Sequence, residues 1–187
     1  MALTPSRMVE LGSPAPAFSL PATDGQTLSL DDFSAARVLV VAFICNHCPY
    51  VKHLKPGLVE FVHHYRDQPV AFVAINSNDA TSYPEDGFEA MVRDAEAHGY
   101  NFPYLYDESQ AAARAYGAEC TPDFFLYGPE RELLYRGQFD ESRPNNGSMV
   151  TGRDLRAAVD AVLAGRRVRE PQIASIGCNI KWREAAA

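Results

Sequence analysis

Two cysteines three positions apart, Cys45 and Cys48, are the residues of this chain best suited to chemistry, and Asn46 and His47 stand between them. Thiols at that spacing can close into a disulfide, exchange it with another thiol, or ligate a metal ion. The thiolate is the reactive form, so the surroundings that remove the thiol proton decide what the pair can do. Before the motif runs Val38-Leu39-Val40-Val41-Ala42-Phe43-Ile44, and after it Pro49-Tyr50-Val51-Lys52-His53-Leu54 begins a helical pattern. The apolar run reads as a strand covered on both faces. A pair at such a junction lies at a helix N-terminus, where unpaired N–H groups and the helix dipole favour a thiolate.

The elements that must position this pair follow from the rest of the chain. Its 187 residues, 47% of them apolar, are enough for one domain with a full core. Ala15 to Leu30 alternates about a tight turn at Asp24-Gly25 and predicts a β-hairpin, after which Asp31-Asp32 caps a short helical turn. Pro49 to Tyr65 carries one apolar face through Val51, Leu54, Leu58, Phe61, Val62 and Tyr65, with a kink or break expected at Pro56-Gly57. Val70 to Ile75 is a second buried strand, followed by a helix from Pro84-Glu85 to His98-Gly99. A short strand at Phe102 to Leu105, a short helix at Ser109 to Tyr116, a hairpin of 123–127 with 132–136 and a last helix from Asp154 to Ala164 complete the pattern. Strands alternating with helices, then a hairpin and a closing helix, argue for an α/β sandwich with a mixed sheet. The tail, 166–187, lacks clear periodicity but holds Cys178 and Trp182, and is expected to pack on the single domain spanning 1–187.

Composition excludes several functions. With 17 basic against 24 acidic residues the net charge is −7, and Arg166-Arg167-Val168-Arg169 is too short a basic block to suggest nucleic acid. Met1 to Ser13 is polar and broken by Pro5, unlike a signal peptide, and no run approaches the roughly 18–20 apolar residues of a membrane helix. A soluble cytoplasmic protein with no membrane partner is therefore expected. Four cysteines are too few for a disulfide-dense secreted scaffold, which leaves redox or metal chemistry for the spaced pair.

This order resembles the thioredoxin-like superfamily, and within it the redoxin branch of peroxiredoxin-like proteins. Three stretches carry the likeness: Ala15-Pro16-Ala17-Phe18-Ser19-Leu20 with Leu28-Ser29-Leu30, the C-x-x-C after the first core strand, and Thr121-Pro122 before Asp123-Phe124-Phe125-Leu126. Pro122 follows Cys48 by 74 positions, room for the strand and helix that the redoxin branch inserts, here within Ile75 to Tyr116. Cys-Asn-His-Cys-Pro-Tyr-Val-Lys, with the late Ile176-Gly177-Cys178-Asn179-Ile180-Lys181-Trp182, is similar to a peroxiredoxin-like or thioredoxin-like group whose substrates are poorly defined. The resemblance implies a three-layer α/β sandwich with a mixed central sheet, an N-terminal β-hairpin extension and an inserted strand-helix.

It also implies roles. Cys45 is the expected attacking thiol and the more exposed one, and Cys48, one helical turn on, the partly buried resolving thiol. His47 would hold a positive charge beside Cys45, favour its thiolate and make the pair more oxidising. Asn46, Thr121 and Pro122 are the candidate substrate-binding residues, Pro122 through a cis peptide bond that faces the motif. Cys120 and Cys178 are accessory thiols, the first expected to be inert and the second to be core packing.

Two helpers of related enzymes are absent. Leu39 stands where many thioredoxins place a buried aspartate, and Val41 and Cys45 stand where peroxiredoxins place the proline and threonine that serve the peroxidatic cysteine. Asn76, Asp79 and Glu119 are polar or acidic substitutes among which the sequence does not choose.

The expected function is thiol–disulfide exchange on a protein or small-molecule substrate, with no cofactor and no metal. The reducing partner is left open between a thioredoxin reductase system and glutathione. Alternatives are a low-efficiency peroxidase, a redox-inert binding module, and a zinc site joining Cys45, His47 and Cys48 to Cys120, Cys178 or His63-His64.

Overall fold

The computed structural model describes residues 3–183, so residues 1–2 and 184–187 of the expected domain and tail lie outside it. Five strands form the central sheet: β4 (Val38–Phe43), β5 (Val70–Asn76), β6 (Tyr104–Tyr106), β8 (Asp123–Tyr127) and β9 (Leu133–Gly137). Their order is β6-β5-β4-β8-β9, with β4, β5 and β6 parallel and β8 and β9 antiparallel to their neighbours. The expected α/β sandwich with a mixed sheet is what forms.

The unbroken apolar sequence of β4 has a direct cause: both faces of the strand are covered. Val38, Val40 and Ala42 face α1 (Pro49–Tyr65), α4 (Arg153–Leu163) and Met91 of α2 (Phe88–His98), while Leu39, Val41 and Phe43 face α3 (Ala111–Tyr116) and the N-terminal segment. That segment contains the predicted hairpin, β2 (Ser19–Pro21) with β3 (Thr27–Ser29), and a 3-10 turn over Leu30–Phe33. Ser29 caps the turn together with the side chain of Asp32.

The predicted break at Pro56-Gly57 does not occur, and α1 runs on through Pro56. Gly57 serves packing instead: a Cβ there would lie 2.4 Å from Val150 Cγ1, so its absence lets the segment after β9 close onto the helix.

Three short strands went unforeseen. β1 (Leu3–Pro5), β10 (Ile176–Asn179) and β7 (Cys120–Thr121) form a separate antiparallel sheet with β10 in the middle. The tail is therefore built in as a strand. Its register pairs Cys178 with Thr121 on one side and with Leu3 on the other. Among the described residues no helix is long and apolar enough to cross a membrane.

Candidate active site

Cys45 follows the C-terminal end of β4, and Cys48 is the N-cap of α1 with Pro49 at the first helical position. Proline there gives up an N–H that had no helical partner and presets the helical φ. Opposite stands the loop of β7, where the Thr121–Pro122 bond is cis as expected. Thr121 Oγ1 lies 3.3 Å from Cys45 Sγ, and its carbonyl oxygen 3.1 Å from Cys48 Sγ. Strand, helix and Thr-Pro loop thus converge on the pair.

The exposures differ from the expectation. Both thiols are closed to solvent, at 1% for Cys45 and 0% for Cys48. Their electrostatic ranking is also the reverse of the predicted one. Burial pushes the Cys45 thiol well up, and its hydrogen bond to Cys48 and the carboxylate of Asp86 push the same way. Cys48 is drawn down to about 5, first by the hydrogen bond from Cys45, against burial, and further by Cys178 and the backbone N–H of Val51. The lower value falls on the thiol at the N-terminus of α1, where unpaired N–H groups favour a negative charge.

Asp86 is the functional-site residue that sequence reasoning missed. It ends the 3-10 turn Pro84–Asp86, fully buried, and its Oδ1 accepts from the backbone N–H groups of Asn46 at 2.8 Å and His47 at 3.3 Å. Its Oδ2 lies 2.5 Å from His47 Nδ1 and 2.8 Å from Asn78 Nδ2. Burial alone would raise this carboxyl, but the hydrogen bonds from His47, Asn78 and Asn46 outweigh it and hold the group below its ordinary value. The same bond raises His47 above its ordinary value, against burial. The histidine charge is therefore matched by Asp86, 2.5 Å away, while Cys45 Sγ is 4.0 Å from the same nitrogen. His47 therefore stands beside Cys45 with its charge paired to Asp86. One signal for Asp86 did exist: parallel strands β4 and β5 deliver their following loops to the same end of the sheet.

The remaining candidates find places around this frame. Asn46 donates to the Glu85 carbonyl at 2.7 Å and accepts from the Tyr104 hydroxyl at 3.0 Å, which fixes the motif and leaves little of it for a substrate. Of the proposed substitutes for the missing aspartate, Asn76 braces the Asp86 carbonyl at 2.9 Å, and Asp79 pairs with Arg183. Cys120 donates to the Pro122 carbonyl at 3.6 Å, and burial pushes its thiol up. Cys178, expected to be packing, brings its sulfur to 2.9 Å from Cys48 Sγ.

Of the further zinc ligands read from sequence, Cys178 lies beside Cys48, while the two histidines are remote. His63 and His64 close the far end of α1, roughly 20 Å along the helix from the motif. Among the described residues the group with ligand spacing is Cys45, His47 and Asp86. Within it His47 Nδ1 and Asp86 Oδ2 already meet in a hydrogen bond, a contact that a bound ion would have to replace.

An open depression of about 660 Å³ lies beside the motif, lined by Asn46, His47, Lys52, Pro84, Glu85 and Arg93 among others. On the Pro122 side only about 10 Å³ is free, between Tyr50, Leu54, Pro122 and residues of the loop after β9.

Comparison with known proteins agrees with this geometry. A solved structure described as an uncharacterized conserved protein from Geobacillus kaustophilus is 52% identical with a TM-score of 0.97, covering 100% of this chain and 99% of that one. The thioredoxin domain of a thiol-disulfide oxidoreductase from Bacteroides vulgatus shares the fold, with a TM-score of 0.60 at 18% identity over 70% of this chain and 89% of that one. The thiol-disulfide oxidoreductase ResA of Bacillus subtilis (strain 168) is 28% identical over 66% of this chain, and the match spans 64% of its own length, under two thirds. The model of the AhpC/TSA family matches residues 11–136, which takes in the hairpin, the C-x-x-C motif, the cis-proline loop and most of β9. The chain belongs to the AhpC/TSA family and has the thioredoxin-like fold of its redoxin branch.

Proposed function

We propose that the protein is a thiol–disulfide oxidoreductase working through Cys45 and Cys48, with Cys48 as the attacking thiolate. The observation that carries this reading is the convergence of parts: Cys48 is the N-cap residue of α1, the Thr121 hydroxyl and carbonyl beside the cis Pro122 lie 3.3 Å from Cys45 Sγ and 3.1 Å from Cys48 Sγ, and the Cys48 thiol is drawn down to about 5. In the reductive direction the Cys48 thiolate attacks one sulfur of a substrate disulfide. One substrate thiolate leaves, and a mixed disulfide forms at Cys48. Cys45 then attacks Cys48 Sγ, the second substrate thiol leaves with the Cys45 proton, and the Cys45–Cys48 disulfide remains. This exchanges the roles that the sequence suggested for the two cysteines. The raised Cys45 thiol, the lowered Cys48 thiol and the place of Cys48 at the N-terminus of α1 support the exchange.

Insulin reduction coupled to dithiothreitol tests the reading. Wild type is expected to accelerate precipitation of the insulin B chain, and Cys48→Ser to fall to the uncatalysed rate. A wild type without activity, or a Cys48→Ser variant that keeps it, would overturn the proposal. Family membership favours a second reading, peroxide reduction at the same thiolate. The positions of the peroxidatic proline and threonine are Val41 and Cys45 here, so consumption of hydrogen peroxide is expected to be slow.

A further inference from the structure

We infer that Cys178 is a third exchanging thiol of this site: it closes a disulfide with Cys48, in alternation with the Cys45–Cys48 bond. The inference rests on the exchange chemistry proposed above. Its first support is distance. Cys178 Sγ is 2.9 Å from Cys48 Sγ, within about 1 Å of a sulfur–sulfur bond of ~2.05 Å. Cys48 is thus a central sulfur with a thiol on either side.

The second support is the backbone. β10 pairs with β7 so that Cys178 stands opposite Thr121, the residue whose hydroxyl reaches Cys45 and whose carbonyl reaches Cys48. An extended peptide added as a strand beside the motif would take this lane. The chain's own strand already fills it. The fit is close: a Cβ on Gly177 would lie 2.0 Å from the Thr121 carbonyl oxygen, so only glycine lets the strand approach this far. The next residues clamp it, with Lys181 N–H donating to Asn78 Oδ1 at 2.8 Å and Asp79 N–H donating to the Lys181 carbonyl at 2.8 Å. Asn78 also holds Asp86, so tail and motif share one hydrogen-bonded frame.

Burial raises the Cys178 thiol to about 12, with Cys48 adding to the shift, so in the reduced site Cys178 rests as a thiol and gives up its proton only as it attacks.

The step balances without an outside oxidant. Starting from the Cys45–Cys48 disulfide, Cys178 attacks Cys48 Sγ, the Cys48–Cys178 bond forms, the Cys45–Cys48 bond breaks, and the Cys178 proton passes to the departing Cys45 sulfur. Starting from a mixed disulfide on Cys48, the same attack expels the bound thiol, which takes the proton.

Glutathione disulfide is the probe, with disulfide peptide mapping of the full chain as the readout. Oxidised wild type is expected to yield a Cys48–Cys178 peptide beside the Cys45–Cys48 peptide. Oxidised Cys45→Ser is expected to lose alkylation of both Cys48 and Cys178 through one internal disulfide. Cys45→Ser/Cys178→Ser is expected to retain one glutathione on Cys48. The inference is overturned if Cys45→Ser keeps glutathione on Cys48 to the same extent as the double variant, with Cys178 still alkylated. Cys45→Ala and its double variant, with folding followed by circular dichroism, repeat the comparison in a second background. Failure of the underlying reading looks different: the wild type would then form no Cys45–Cys48 disulfide and reduce no insulin, whatever Cys178 does.

Discussion

Two acidic residues, Asp86 beside the motif and Asp123 directly after Pro122, are both fully buried and are held in opposite ways. Asp86 is buried and satisfied, through His47, Asn78 and the N–H groups of the motif. Removing one partner of a buried ion pair typically costs about 3–5 kcal/mol. Asp86→Ala is expected to approach the lower end, about 3 kcal/mol in urea unfolding, because His47 keeps some exposure. The variant is also expected to lower the His47 pKa, read by NMR titration, and to ease ionisation of Cys45 by removing a nearby negative charge. The sign of the pH dependence follows. The raised His47 gives stability that is present below its unfolded value and lost as pH rises through the folded one; the depressed Asp86 gives stability that is lost as pH falls through its own. The pair therefore stabilises most between about pH 4 and 6.5. No local motif marked Asp86 out, because its partner is 39 positions away; the one signal was topological, the meeting of the loops after β4 and β5.

The elements legible in the sequence are those whose own periodicity buries them: β4, β5, α1, α2, α4 and the hairpins about Asp24-Gly25 and Gly128-Pro129. The strands that stayed hidden, β1, β7 and β10, have two to four residues each and gain their order from one another. Local pattern carries no trace of such pairing. The break expected at Pro56 failed for a related reason. The helix around it is held by burial of Val51, Leu54, Leu58 and Phe61, which outweighs the missing N–H. Gly177→Ala tests the hidden sheet. The new methyl meets backbone, not a flexible side chain, so β10 must shift away from β7. The expected cost is about 2 kcal/mol in unfolding, within the usual range for overpacking. Faster alkylation of Cys48 and Cys178 in the folded variant is expected from rapid-quench labelling. Unchanged stability and unchanged labelling would show that the register described here is wrong.

For the whole molecule the sheet separates two apolar layers, and the fold class followed from the alternation of strand and helix that those layers require. Among the polar residues buried in this interior is Asp123, at the start of β8 directly after Pro122. Neither of its carboxylate oxygens has a partner in good hydrogen-bond geometry among the described residues, and burial pushes the group up to about 7, only partly offset by Ser6 and the backbone of Glu119 and Phe124. The native chain thus keeps a proton that the unfolded chain releases above its ordinary value near 3.8. Its contribution to stability falls as pH rises between those values, by up to about 1.4 kcal/mol per pH unit. Asp123→Asn is expected to flatten the stability profile between pH 4 and 7 and to raise stability at pH 7 and above, as measured by urea unfolding across pH. A variant whose profile still falls with the wild-type slope would locate the burden elsewhere.

The sheet of β1, β10 and β7 sets Leu3, Cys178 and Thr121 abreast on three neighbouring strands. Two strand spacings separate the outer members, about 10 Å. Leu3 is 62% exposed, so a label placed there is open to solvent and yet next to the thiols. A spin label or fluorophore at that position would act as a built-in ruler for movement of β10, so the first described strand is the natural seat for a reporter.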